Sequence, residues 1–182
     1  MEWLNRLKDV HDSDWKPVGT GRLAGATLFA LYCAWFASTG EGWVHVLDGA
    51  NLVFHEAGHP IFGLLLGDRV TVYGGTMGQL VLPLAVITSF WMRRESAAAA
   101  IAAIWFFENF WNIARYMADA RAHVLPLVGN GEHDWTEIFT RWGVLNLDTT
   151  LAGFVRVAGW LGVLVSLGWL VWRWNEDKQY AD

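Results

Sequence analysis

A chain of 182 residues suffices for one domain and gives no reason to look for a second. Hydrophobic residues make up 54% and charged residues 17%, far from a soluble balance, and a net charge of −5 excludes a basic nucleic-acid surface. The single cysteine, Cys33, excludes an internal disulfide.

Residues 1–11 set Trp3, Leu7 and Val10 at helical spacing, with Arg6, Lys8 and Asp9 elsewhere on the wheel. This reads either as a short helix lying on a membrane surface or as a disordered leader. The first apolar run starts only at Leu23, after a mixed-charge stretch without a cleavage site, so it reads as a retained span and not a signal peptide. Residues 23–40 are long enough to cross a bilayer; residues 51–67, NLVFHEAGHPIFGLLLG, are slightly short for a full span. Residues 69–75, RVTVYGG, alternate β-branched side chains before a Gly-Gly stop and predict a short strand or extended loop.

Residues 79–92 are apolar but short for a crossing, whereas 97–117 and 151–172 are each long enough. In the last run Ala158, Gly162 and Ser166 recur every four residues, a small-residue stripe that admits another helix closely. Trp169, Trp172, Arg173 and Trp174 close it as an interfacial anchor. The expected fold is all-α: a polytopic membrane helix bundle of four to five apolar segments, with a short extended Gly-rich loop after the 51–67 helix. It forms one integral-membrane domain of the cell (inner) membrane, with an interfacial leader at 1–22, a membrane core at 23–172 and a polar tail at 173–182. Loop charges do not choose between five full spans and a 51–67 segment that dips in and returns to the same face.

Within 51–67 lies His55-Glu56-Ala57-Gly58-His59. A helix turns about 100° per residue, so His55 and His59 point the same way, about 40° apart. Two imidazoles so spaced can hold one zinc ion, and Glu56 can take a proton from a water there. HExxH fixes only three residues and also arises by chance. Its apolar setting adds weight, because ionisable groups at membrane depth are costly and mark a site by default. The ring of Pro60 clashes with the Glu56 carbonyl and predicts a kink or break at the motif.

The 97–117 segment carries Glu108, Asn112, Arg115 and Asp119 in one narrow stripe, which His123 would extend. Such a stripe faces other helices or a wet cavity. It serves either as an ion-pair ladder, with Arg115 meeting Glu108 or Asp119 across a turn, or as part of a site. A catalytic zinc takes three protein ligands and leaves one position open. The candidates for the third are Glu108, Asp119, His123, His133 and Asp134, the last two in the glycine-rich stretch Gly129-Asn130-Gly131-Glu132-His133-Asp134-Trp135. If this segment runs antiparallel to the motif helix, Asp119 and His133 emerge beside His55. That arrangement gathers the most candidates and makes Asp119 and His133 the joint choice, one as ligand and one orienting it, ahead of Glu108 and Asp134. Gln79, Asn112 and Arg115 can donate to an oxyanion or to a substrate backbone.

HEAGH on an apolar helix, then a Gly-rich stretch, then a membrane segment with Asn and Asp resembles the site-2 protease family of intramembrane zinc metallopeptidases, over roughly residues 50–120. The resemblance matches His55 and His59 to two zinc ligands and Glu56 to the catalytic base. The family's Gly-x-x-x-Asn motif looks like Gly75-Thr76-Met77-Gly78-Gln79, with Gln79 where Asn would stand; its Asn-Pro-Asp-Gly ligand motif is missing, and Asn112 and Asp119 only echo it. It implies a Zn2+-dependent metalloendopeptidase that cuts membrane-spanning or membrane-adjacent peptides. The residues alone also admit a metal-binding membrane protein without hydrolysis (a sensor, carrier or inactive relative) or a structural membrane protein without metal. Glu56 favours hydrolysis, since plain binding needs no carboxylate beside the first His. The expected partners are the lipid bilayer and a membrane protein or peptide substrate, with no nucleic acid; the sequence does not set an oligomeric state.

Overall fold

A computed structural model describes residues 14–39, 42–128 and 133–179 of the chain. Among them all regular structure is helical: α1 (Thr20–Ser38), α2 (Leu47–Leu66), α3 (Asp68–Met92), α4 (Ser96–Ala118), α5 (Asp134–Trp142), a 3₁₀ turn at Leu145–Leu147, and α6 (Asp148–Gln179). The surface helix expected at 1–11 lies outside the described residues. Three helical stretches are long and apolar enough to cross a membrane: Asp68–Met92, Ser96–Ala118 and Leu145–Gln179. The other two apolar runs form helices, α1 and α2, that do not reach that measure, so of the four to five apolar segments expected, length and composition support three as spans.

The strand or loop expected at residues 69–75 is instead the first part of α3, which also gives the short 79–92 run its missing length. Packing overrides the β-like alternation here. Gly74 and Gly78 lie where α3 crosses α2 at Gly58. A Cβ on Gly58 would collide with the Gly74 carbonyl, and one on Gly78 would come within 2.9 Å of the Gly58 Cα. These glycines therefore form a helix-contact face in which two backbones touch, not a stop signal. The reversal falls at Gly67, whose φ of +92° favours a residue without a side chain. Pro60 does not end α2, which continues to Leu66 while Gly63 packs against Thr71.

A second short turn, at residues 93–95, reverses the chain between α3 and α4. Two reversals leave α2 and α4 running the same way, and their contacts climb together: the Trp105 indole donates to Asn51 (2.8 Å), while the Tyr116 ring lies 5.9 Å from the His55 ring. The antiparallel arrangement expected for these two helices is thereby corrected. α6 packs along α4 through Gly159 and Gly162, where a Cβ would strike Trp111 and Phe107. The small-residue stripe of α6 thus runs through Gly159, Gly162 and Ser166, with Ala158 half-buried beside it. α1 closes the bundle over α4 and α6 with Ala30 and Cys33 buried. At one end Trp15 sits between Trp91 and Trp169, at ring separations of 4.7 and 5.3 Å, and Lys16 pairs with Glu95. The expected polar tail continues α6 as helix to Gln179 and is tied back by Asp177, which accepts from the Val18 N–H at 2.8 Å.

Candidate metal centre

The helical period puts Asp48, Asn51, His55 and His59 along one side of α2. His55 is buried, and its Nδ1 lies 2.8 Å from Gln79 Oε1 on α3; His59 Nδ1 lies 2.9 Å from the Thr71 carbonyl oxygen. A carbonyl oxygen can only accept, so each Nδ1 carries its ring's hydrogen and each Nε2 presents a lone pair. Both Nε2 atoms face Asp134 Oδ2, at 2.9 and 3.3 Å. One ligand atom from each of His55, His59 and Asp134 lies within 4.8 Å of the others, so the group can hold a metal ion. Two lone pairs and a carboxylate turned on one another need a cation among them, either a proton on one imidazole or a metal.

Gly75 makes room for this cluster. A Cβ there would sit 2.6 Å from His55 Cε1 and 2.7 Å from His59 Nε2. The close crossing at Gly58, Gly74 and Gly78 is therefore what brings α3 near enough for Gln79 and Thr71 to fix the two rings.

Asp134 is the first residue of α5, and its N–H donates to the Tyr116 hydroxyl at 3.1 Å. Burial alone would raise its pKa, but the adjoining His55 and His59 imidazoles, with a proton on one of them, outweigh burial and hold the carboxyl below its usual range. His133 precedes it as the helix cap: its Nδ1 accepts from the Thr136 N–H at 3.3 Å, and its Nε2 lies 3.5 Å from Asp119 Oδ2. Burial lowers the pKa of this imidazole, in keeping with a neutral cap. Asp119 in turn accepts from the N–H groups of Val124 and Leu125, at 2.9 and 3.1 Å.

Asp119 and His133, expected to supply the third ligand, are not in the group whose ligand atoms converge; they build the turn that carries Asp134, ranked behind them, into that group. The reason is physical: His133 Nδ1 caps α5, and its Nε2, buried without a hydrogen bond, faces Asp119 at 3.5 Å and does not join the His55–His59 group. His123 is engaged too, with its Nε2 3.0 Å from the Ala120 carbonyl oxygen and 2.8 Å from Thr136 Oγ1. Glu108 is fully buried a turn or two from the site, where Oε2 accepts from the Asn51 amide at 3.0 Å.

A cavity of about 510 Å³ opens onto the cluster, bordered by Glu56, Asn112, Arg115 and Tyr116, with residues 125–128 as one lip. Glu56 is half-buried and, among the described residues, makes no hydrogen bond or ion pair, so its carboxylate is free to act on whatever enters. Asn112 and Arg115, the expected donors, both border this cavity. Among the described residues Arg115 makes no ion pair with Glu108 or Asp119, so the ladder does not form; its guanidinium lies 5.7 Å from the Trp43 ring centroid. Gln79 also borders the cavity, but its Oε1 is bound to His55, which makes it an orienting group first. Thr71 and Tyr116 were not anticipated. Gly75 was read as a stop glycine and as the start of the Gly-x-x-x-Asn echo, not as room for the two rings.

No family model, no curated protein and no solved structure matches the chain. The functional reading therefore rests on the residues and their geometry.

Proposed function

We propose that the chain is a multi-pass membrane metalloendopeptidase of the inner membrane, with His55, His59 and Asp134 holding a divalent zinc ion. The observation that carries this reading is the pairing of a three-ligand group with an unpartnered Glu56 on the wall of the same cavity. The donor set fits zinc: two neutral imidazoles and one carboxylate are the ligands of many hydrolytic zinc sites, with Gln79 and the Thr71 carbonyl orienting the rings. When bound, such an ion polarises a carbonyl and acidifies a water.

The rest falls to the protein. Glu56 takes the proton from the attacking water and later gives it to the leaving amine. Asn112 and Arg115 donate to the oxyanion or to the substrate backbone across the cavity. Tyr116 holds the N–H of Asp134 and so keeps the carboxylate aimed. The substrate is a peptide segment in or beside the membrane, unwound locally so that its carbonyl reaches between Glu56 and the ligand group.

The test compares peptide termini in membrane fractions from cells making the wild type or Glu56→Gln, with zinc content measured on both. Termini within or beside apolar segments that appear only with the wild type support hydrolysis. Zinc bound equally by both, with no such termini from either, would instead establish a metal-binding protein that does not hydrolyse.

A further inference from the structure

Arg115 borders a second, smaller hollow of about 250 Å³ between the end of α1, α4 and α6. A second guanidinium, Arg156, also lines it, with Thr39, Gly42, Trp111 and Trp160, and among the described residues no carboxylate does. Among the described residues neither arginine has an ion-pair partner. Trp111 is 4% exposed, and its indole N–H finds no acceptor. A buried N–H left unsatisfied is costly, as is lining one hollow with two cations. Both costs vanish if an anion with several acceptor oxygens sits there, taking forked hydrogen bonds from the guanidinium groups and one from the indole.

We propose that this hollow binds the phosphate of an anionic phospholipid headgroup. It is smaller than the roughly 300 Å³ at which pockets for whole organic ligands begin, so it suits a headgroup and not a complete lipid. Arg156 is exposed on α6, within a stretch long and apolar enough to cross a membrane, and Phe154, Val157 and Leu161 beside it are exposed as well. Acyl chains can lie along that apolar face while the phosphate turns inward to the arginines. Basic pockets between membrane helices select anionic headgroups on this principle.

Native mass spectrometry of the detergent-purified full chain tests this, with phosphatidylglycerol, phosphatidylcholine and inorganic phosphate offered separately. One phosphatidylglycerol retained per chain, in preference to phosphatidylcholine, is the expected result. Arg156→Gln should weaken retention at least about tenfold, because it removes a charged hydrogen-bond donor. Arg156→Lys should weaken it less, and Trp111→Phe should weaken it several-fold while keeping the ring. Displacement of the lipid from the wild type by inorganic phosphate would show the phosphate group to be what is recognised. Equal retention of both lipids, or undiminished phosphatidylglycerol in monodisperse Arg156→Gln and Trp111→Phe, would overturn the proposal.

Discussion

Two polar clusters share one side of α2 and differ in what their atoms face. Around Asp48, Asn51 and Glu108 the side chains turn on one another and on nearby backbone: Asn51 donates to Glu108 and to Asp48, and Asp48 accepts from the Val44 N–H. Around His55 and His59 only the Nδ1 atoms are used in this way, while the Nε2 atoms, with Asp134, are turned toward one point beside a cavity. Both clusters place ionisable groups inside an apolar bundle. The first joins α2 to α4, and the second leaves lone pairs for a guest. Burial of polar residues therefore identifies both as special, and since Glu108 Oε1 also lacks a hydrogen bond, what tells the site from the strut is the convergence of three ligand atoms beside a cavity.

The strongest way to break this contrast is a change at Gly75, which is not a ligand. Gly75→Ala puts a methyl group against both imidazoles, so the variant should keep its helix content by circular dichroism yet bind no stoichiometric zinc; full zinc binding would mean the rings do not sit where α3 holds them. Glu56→Gln sharpens the contrast from the other side, removing about 10²- to 10⁴-fold of peptide cleavage while leaving zinc content unchanged. Gln79→Ala frees the His55 ring and should weaken zinc about 10- to 100-fold in a competition titration with a chelator. Proton competition follows from the same geometry. Each Nε2 must be unprotonated to bind, and the Asp134 carboxylate pushes the His59 imidazole up to about 9, so zinc affinity should fall about tenfold per pH unit as pH drops below about 9. The smallest effect is expected at the strut: Glu108→Gln should leave zinc content intact, as judged by elemental analysis, because Glu108 faces Asn51 and not the ion.

Much of this could be read from the chain. The apolar runs mark out the helices, and HEAGH locates two imidazoles and the free carboxylate on α2. What stayed hidden depended on how helices cross. In sequence Gly74, Gly75 and Gly78 have the appearance of a turn, because a glycine-lined helix contact and a loop draw on the same residue and only the partner's backbone distinguishes them. The carboxylate of the proposed ligand group was hidden by adjacency. His133 is the more familiar zinc-binding side chain, but it caps α5, and capping it there aims the next residue at the site. An aspartate in a first helical turn ordinarily reads as a partner for the helix dipole, which concealed Asp134. The relative direction of α2 and α4 followed from two short reversals, at Gly67 and at residues 93–95, and the first of these lay just before a stretch read as extended.

The identity of the third ligand is the central claim, and a pair of substitutions tests it. Asn is a good helix cap, so His133→Asn preserves the start of α5 while removing the imidazole, whereas Asp134→Asn removes only the carboxylate charge. Elemental analysis of the detergent-purified proteins should find about one zinc per chain in the wild type and in His133→Asn, and none in Asp134→Asn. Zinc lost from His133→Asn and kept in Asp134→Asn would contradict the account and return the third position to His133.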